Sequence, residues 1–231
     1  MAMTLYELAA ADSSILFSPH CWRTRMALAH KGLEVETRPW RFTDKEAIAF
    51  SEQGTVPVLV DGQHHVSDSW TIALYLDEHY PGSSHLFDSP QARSYARFLN
   101  DWANRTLHPG ITKQIILPLF AMLDEGDKDY FRSSREQRLG MTLEDFAADA
   151  EAALPALRAA MAPLRTVLAA QPYLAGDAPA YGDYIVFGSL QWARVSCPKD
   201  ILAADDPLVE WRQRMLDLYE GLASAVPARA A

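Results

Sequence analysis

The pattern of apolar and polar positions changes character between residues 55 and 81, TVPVLVDGQHHVSDSWTIALYLDEHYP. Val56, Val58 and Val60 alternate with the period of a strand. Asp61-Gly62 follows, a dipeptide that closes tight hairpins, and a short return strand is predicted around 65–67. Ile72, Tyr75, Leu76 and His79 then share one face of a helix. Two positions are odd for plain scaffold. Pro57 sits in a β-branched run, where it removes a ladder donor and is tolerated only at an edge, a strand start or a bulge. Asp68-Ser69 brings polar acceptors to a fresh helix N-terminus, which suits a small charged ligand.

Upstream, 4–8 predicts a strand and 9–17 a loop. Ser18-Pro19 opens a helix, serine as N-cap and proline at the first helical position. Trp22, Met26 and Ala29 give it an apolar face, and Lys31-Gly32 ends it. A second strand is predicted over 35–38 and a helix over 44–50. The order β-α-β-α-β-β-α is that of a thioredoxin-like fold, a small mixed sheet with helices on both faces. Residues 81–90 (PGSSHLFDSP) read as a turn-rich linker, separating an α/β domain over 1–80 from a region over 91–231 with almost no strand character. That region predicts a helix over 91–123 bent or broken at Pro109-Gly110 and Pro118, an acidic loop over 124–128, and a short helix within 129–140. A long helix over 142–170, kinked or split by Pro155 and Pro163, is followed by a buried helix over 181–196 and a closing helix over 206–222. The expected class is an α/β thioredoxin-like N-terminal domain plus an all-α C-terminal helical bundle.

Composition narrows the function. The chain has 231 residues, 49% hydrophobic and 22% charged. That is enough to bury two modest cores. No apolar run reaches membrane-spanning length, and the N-terminal segment lacks a signal peptide's basic start and apolar core, so a cytoplasmic location is expected. A formal charge of −9 argues against a nucleic-acid or anionic-membrane partner. Cys21 and Cys197 are the two cysteines; they make no disulfide framework, and no cluster has metal-ligand spacing, so no metal is expected.

Val-Pro-Val-Leu at 56–59, Asp68-Ser69 about ten residues on, and the Ile-x-x-Tyr-Leu helix together resemble the glutathione-binding half of glutathione transferases. The resemblance implies a cis Val56–Pro57 bond, with the Val56 backbone offered to the cysteinyl part of glutathione. It also implies that Asp68 and Ser69 hold the γ-glutamyl end. Within that superfamily the chain resembles the bacterial lignin β-aryl etherases and their fungal relatives. The segments concerned are Ser18-Pro-His-Cys-Trp-Arg-Thr-Arg, Pro39-Trp40-Arg41-Phe42-Thr43, Tyr130-Phe131-Arg132, Ser134-Arg135-Glu136 and Leu139-Gly140. Two departures stand out. The chain ends without the long C-terminal extension of the best-known bacterial etherase, and Ala180 stands where transferases commonly cap a helix with Ser or Thr.

The chemistry implied is activation of the glutathione thiol, whose free pKa is about 8.5, by a hydrogen-bond donor at a helix N-terminus. By resemblance Ser18 donates to the sulfur; as an isolated residue it reads equally as an N-cap. Ser14, in the preceding loop, is the second candidate. Arg41 or Lys45 is expected to pair with the glycyl carboxylate. The electrophile is expected between the domains, against Phe17, His20 and Trp40 on one side and Trp102, Asn104 and His108 on the other, a lining that suits an aromatic compound. The expected protein is a homodimeric glutathione transferase, etherase-like, with glutathione as co-substrate. The rivals are a glutathione-dependent binding protein of the same fold and a glutathione-dependent thiol-disulfide reductase. Ser18-Pro-His-Cys21 looks like a Cys-x-x-Cys motif whose nucleophile is replaced, which disfavours the reductase.

Overall fold

A computed structural model describes residues 3–229. Four strands form one sheet in the order β2-β1-β3-β4: β1 is Met3–Leu8, β2 Val35–Trp40, β3 Val58–Asp61 and β4 His64–Ser67. β1 runs parallel to β2 and antiparallel to β3, with Leu5 opposite Thr37 on one side and Leu59 on the other. Gly62 turns the β3–β4 hairpin at φ 61°. This is the left-handed conformation that the glycine of an Asp-Gly pair adopts without steric cost. Helices α1 (Pro19–His30) and α2 (Ser69–His79) pack on this sheet. The predicted helix over 44–50 is a 3₁₀ turn, Glu46–Ser51, which anchors only Ile48 in the core. One buried residue supports a turn rather than an amphipathic helix face.

Beyond residue 89 the described chain is helical. Helix α3 (Pro90–Trp102) and α4 (His108–Met122) run on from one another through a π-helical turn, Ala103–Leu107. The sequence predicts a bend or break at Pro109. Instead the turn before it widens, and the His108 N–H reaches back five residues to the Ala103 carbonyl. Such widening accommodates a residue that cannot donate to the ladder. Pro118 is also tolerated. The carbonyl four residues before it, that of Gln114, faces the Cys197 thiol at 3.9 Å.

The segment expected as an acidic loop over 124–128 starts helix α5 (Glu125–Leu139). Asp124 caps it by accepting the Gly126 N–H at 3.0 Å. Glu125 and Asp127 complement the dipole of its first turn. Asp127 is buried and accepts the Phe42 and Thr43 N–H groups and the Thr43 hydroxyl, which ties α5 to the segment after β2. The long helix expected over 142–170 is three: α6 (Leu143–Ala147), α7 (Ala150–Ala160) and α8 (Ala162–Leu168). Pro163 sits in the first turn of α8, while Pro155 lies within α7. The closing helix α10 (Leu208–Gly221) ends in a kink where Tyr219 and Glu220 take φ of 53° and 59°.

Helix α9 (Tyr181–Ser196) is the buried centre of the bundle. No side chain at Ala180 caps it. Asp183 caps it from inside, accepting the Ala180, Leu174 and Ala175 N–H groups and the Trp211 indole N–H. At Gly188, α9 lies directly against the first turn of α1, and this approach fixes the position of Ser18 and its neighbours.

Candidate active site

A cavity of about 720 Å³ opens between the sheet domain and helices α4, α5 and α9. Ser18 lines it and is buried. As N-cap of α1 its Oγ accepts the Cys21 N–H at 3.3 Å. The hydroxyl proton remains to donate, to the Cys21 sulfur beside it or into the cavity. Cys21 itself lies outside the cavity wall. Burial, and then the neighbouring Glu7, push its thiol up to about 12. It therefore stays protonated and inert near neutral pH.

The Val56–Pro57 peptide bond is cis, and both residues line the cavity. Among the described residues no hydrogen bond engages the Val56 N–H or C=O, so this backbone is free to meet a peptide ligand. Asp68 adjoins them at φ 73°. A positive φ is uncommon outside glycine. Its Oδ1 accepts the Trp70 and Thr71 N–H groups at 3.1 and 3.0 Å and the Thr71 hydroxyl, leaving Oδ2 for a ligand. Ser69 is buried beneath the cavity wall. Its carbonyl accepts the Tyr181 hydroxyl at 2.5 Å, and its Oγ lies 3.5 Å from His20 Nδ1.

Of the two cations expected at the glycyl end, Lys45 lines the cavity. Its ammonium lies 4.8 Å from the Trp40 ring and 5.0 Å from the Tyr130 ring, and donates to the Gly54 carbonyl at 2.6 Å. The negative faces of the two rings attract that charge. Arg41 does not line the cavity: its side chain is held outside by Asp124 at 3.0 Å and by the Ala11 carbonyl. Ser14 is likewise elsewhere, exposed in its loop, with both its N–H and hydroxyl donated to Asp12. Phe17, His20, Trp40, Asn104 and His108 line the cavity, whereas Trp102 lies half-buried against the bundle core.

Behind the wall a polar network gathers three residues expected at this site, His20, Asn104 and His108, around Arg23. Arg23, on α1, is completely buried and carries no carboxylate partner among the described residues. It donates to Asn100 Oδ1 at 2.9 Å, Asn104 Oδ1 at 3.1 Å, His20 Nδ1 at 3.2 Å and His108 Nε2 at 3.3 Å. Guanidinium only donates, so His20 Nδ1 accepts and its proton sits on Nε2. Burial first, then Arg23 and His108, hold the His20 pKa well below the ordinary histidine range. Burial, then Arg23, push His108 down to about 3. Arg23 is lowered only to about 10 and stays charged. The region behind Ser18 thus holds one fixed cation and two neutral imidazoles, an arrangement that favours an anion in front of it.

The rest of the wall is largely apolar and aromatic, with two arginines on α5. Thr112, Ile115, Ile116 and Leu119 continue from His108 along one face of α4, and Tyr130, Phe131, Arg135, Arg138 and Leu139 lie along one side of α5. Both rows recur with helical spacing, and that period marks them in the sequence. Among the described residues no group of three or more His, Cys, Asp or Glu gathers for a metal ion, and no helix is long and apolar enough to cross a membrane.

Comparison with known proteins agrees with this architecture. Residues 13–84 match the family described as the glutathione S-transferase N-terminal domain, and residues 95–217 the glutathione S-transferase C-terminal domain. A probable glutathione S-transferase of Oryza sativa is 35% identical over 102 residues, a match spanning 39% of this chain and 44% of that protein. A glutathione S-transferase of Arabidopsis thaliana is 26% identical over 194 residues, spanning 80% of this chain and 76% of the relative. The fold matches a glutathione transferase crystal structure from Phanerochaete chrysosporium, with TM-score 0.77 and 24% identity over 98% of this chain and 97% of that one. It also matches a Ceriporiopsis subvermispora glutathione S-transferase solved in complex with glutathione, with TM-score 0.79 and 22% identity over 95% and 97%. Both halves of the chain match, and the thioredoxin-like sheet carries the helical domain behind it: the chain belongs to the glutathione S-transferase family.

Proposed function

We propose that this protein is a glutathione transferase whose electrophile is an aromatic small molecule, acting as a homodimer. Residues 1–80 form the glutathione side, 81–90 the linker and 91–231 the electrophile side. The Val56 backbone takes the cysteinyl part, Asp68 Oδ2 and the Ser69 N–H at the start of α2 take the γ-glutamyl end, and Lys45 takes the glycyl carboxylate. The observation that carries the reading is Ser18: a buried hydroxyl at a helix N-terminus, open to a cavity with a peptide-binding edge on one side and aromatic rings on the other. Its donated hydrogen bond, the α1 dipole and the Arg23 charge all favour thiolate over thiol. The thiol proton goes to solvent, the thiolate forms a carbon–sulfur bond, and aryl oxide or halide leaves with the bonding electrons; with a conjugated acceptor the electrons move onto the acceptor instead.

The segments that resemble those of β-aryl etherases support an aryl ether as the physiological electrophile. On α3, Phe98 is 64% accessible and Tyr95 37%. Exposed large apolar side chains of this kind support an association face there. The test is turnover: purified protein with glutathione and a panel of activated aryl halides, conjugated enones and β-aryl ethers. Glutathione-dependent product from at least one class is expected. Glutathione and ligand binding with no product from any class would make the protein a binding module of the same fold.

A further inference from the structure

Four charged side chains line the cavity, and they divide by side. Lys45 and Asp68 belong to the sheet domain, beside Val56–Pro57. Arg135 and Arg138 belong to α5, on the far wall. Neither arginine has a carboxylate within ion-pairing distance among the described residues. The contrast with Arg132 on the same helix is direct. That guanidinium takes both oxygens of Glu144 and also Glu136, so the acids near this stretch are already engaged. Arg135 lies over the Phe42 ring at 4.8 Å and the Phe131 ring at 4.5 Å, and its one hydrogen bond to a side chain goes to Ser134. In a chain of net charge −9, two arginines one helical turn apart are thus turned to a ligand cavity with no acid between them.

Stacking on two rings explains where Arg135 sits, and a helix C-terminus suits the charge of Arg138. Neither explains why the partly buried Arg135 faces the cavity unneutralised, with the exposed Arg138 one turn on. Burial, and then Arg138, lower the Arg135 pKa, which marks a site where a bound anion relieves both costs. The Phe42 ring centroid lies 6.2 Å from that of Tyr130 and 5.6 Å from that of Phe131, so an aromatic ring and an anionic substituent can be met together.

We infer that the electrophile accepted by this site carries an anionic group, a carboxylate or similar oxyanion on an aromatic ring, held by Arg135 and Arg138. The inference rests on the transferase reading for its reaction and not for its binding site. A guanidinium meets such a group with two parallel N–H donors, the geometry in which arginine is strongest.

The test compares para-chloro-meta-nitrobenzoate with its uncharged methyl ester. In both, the glutathione sulfur bonds to the ring carbon, chloride leaves with its electron pair and the thiol proton goes to solvent. Arg135→Met and Arg138→Gln should each raise KM for the carboxylate about tenfold, the effect of losing a charged hydrogen bond. The ester's kcat/KM and the Kd for glutathione should stay within about twofold. Arg138 is exposed, so its variant keeps the test available if Arg135→Met folds poorly. A parallel loss for both compounds, or a matching loss of glutathione affinity, would overturn the inference, because the arginines would then serve the fold or the tripeptide. Equilibrium binding of the benzoate, read by tryptophan fluorescence, decides the anion site separately: equal affinity in wild type and variants would overturn it. Failure of wild type to turn over either compound counts against the transferase reading alone.

Discussion

Replacing Gly188 by alanine tests whether the bundle positions the site. A Cβ at this position on α9 would stand 2.5 Å from the Pro19 carbonyl oxygen, 3.2 Å from Arg23 Cγ and 3.4 Å from the Arg23 nitrogen. Two of those atoms are backbone of the first two turns of α1, so no rotamer change relieves the contact. The helices must part by roughly 1 Å to restore ordinary van der Waals separation. Overpacking costs up to about 3 kcal/mol, and the helix propensity gained on replacing glycine returns about 1 kcal/mol, leaving a net loss of about 2 kcal/mol. For a chain of this size that is a fall in Tm of roughly 4–8 °C. Ser18 and the Arg23 network ride on the displaced turn, so kcat/KM should fall about tenfold or more, as misplacement of a reacting group by about 1 Å does. Gly182→Ala is the control on the same helix. Its Cβ would meet only Leu99 Cδ1 at 3.1 Å and Tyr95 Cε1 at 4.0 Å, side-chain ends that can yield. Thermal melts and steady-state kinetics of both variants decide the matter. A Gly188→Ala protein with wild-type Tm and wild-type activity would show that contact between α1 and α9 does not hold the site.

Asp68→Ala should weaken glutathione binding by about 1.5–3 kcal/mol in isothermal titration, and an unchanged Kd in a folded variant would place the γ-glutamyl end elsewhere. Stability should depend on pH through three desolvated groups of opposite sign. His20 and His108 have folded pKa values depressed below the unfolded value near 6.5, His108 to about 3. Between those values the unfolded chain binds more protons, so stability is lost as pH falls from about 6.5. Glu7 is raised from 4.5 to about 7, mainly by burial and against the pull of Arg25. Its contribution runs the other way, and stability falls as pH rises across that window. Melts from about pH 4 to 8 should therefore show a shallower acid loss in His108→Gln and a steeper one in Glu7→Gln; a His108→Gln profile parallel to wild type would refute the assignment.

The sheet, its hairpin and the start of α1 were legible because their signals are local. Period-two alternation, Asp61-Gly62, and Ser18-Pro19 at a helix start each act over a few residues. The proline-bearing helices were less legible: the turn before Pro109 widens, and the carbonyl left free by Pro118 faces a thiol, that of Cys197, 83 residues away. Ser14 and Arg41 have suitable chemistry near the right loops, yet Asp12 and Asp124 hold them away. Only the folded chain shows which neighbour wins such a competition. The pairing of Arg23 with Asn100 and Asn104 was beyond reach for the same reason, since they approach it across 77 and 81 residues of sequence. The cavity wall on α4 and α5, by contrast, follows a helical period that the sequence already carries.

If Ser18 donates to the glutathione sulfur, it favours the bound thiolate over the thiol. Ultraviolet difference titration of the bound thiol, in wild type and in Ser18→Ala, measures this directly. The bound pKa should lie below the free value of about 8.5 in wild type and rise by about one unit, or about 1.4 kcal/mol, in the variant. The loss of the cap should also cost about 1 kcal/mol of stability, read by thermal melts in parallel. Activity at neutral pH should fall with the thiolate fraction without vanishing, because the α1 N-terminus and Arg23 remain. An identical thiolate pKa in both proteins, with only the melt shifted, would contradict the claim and leave Ser18 as a helix cap alone.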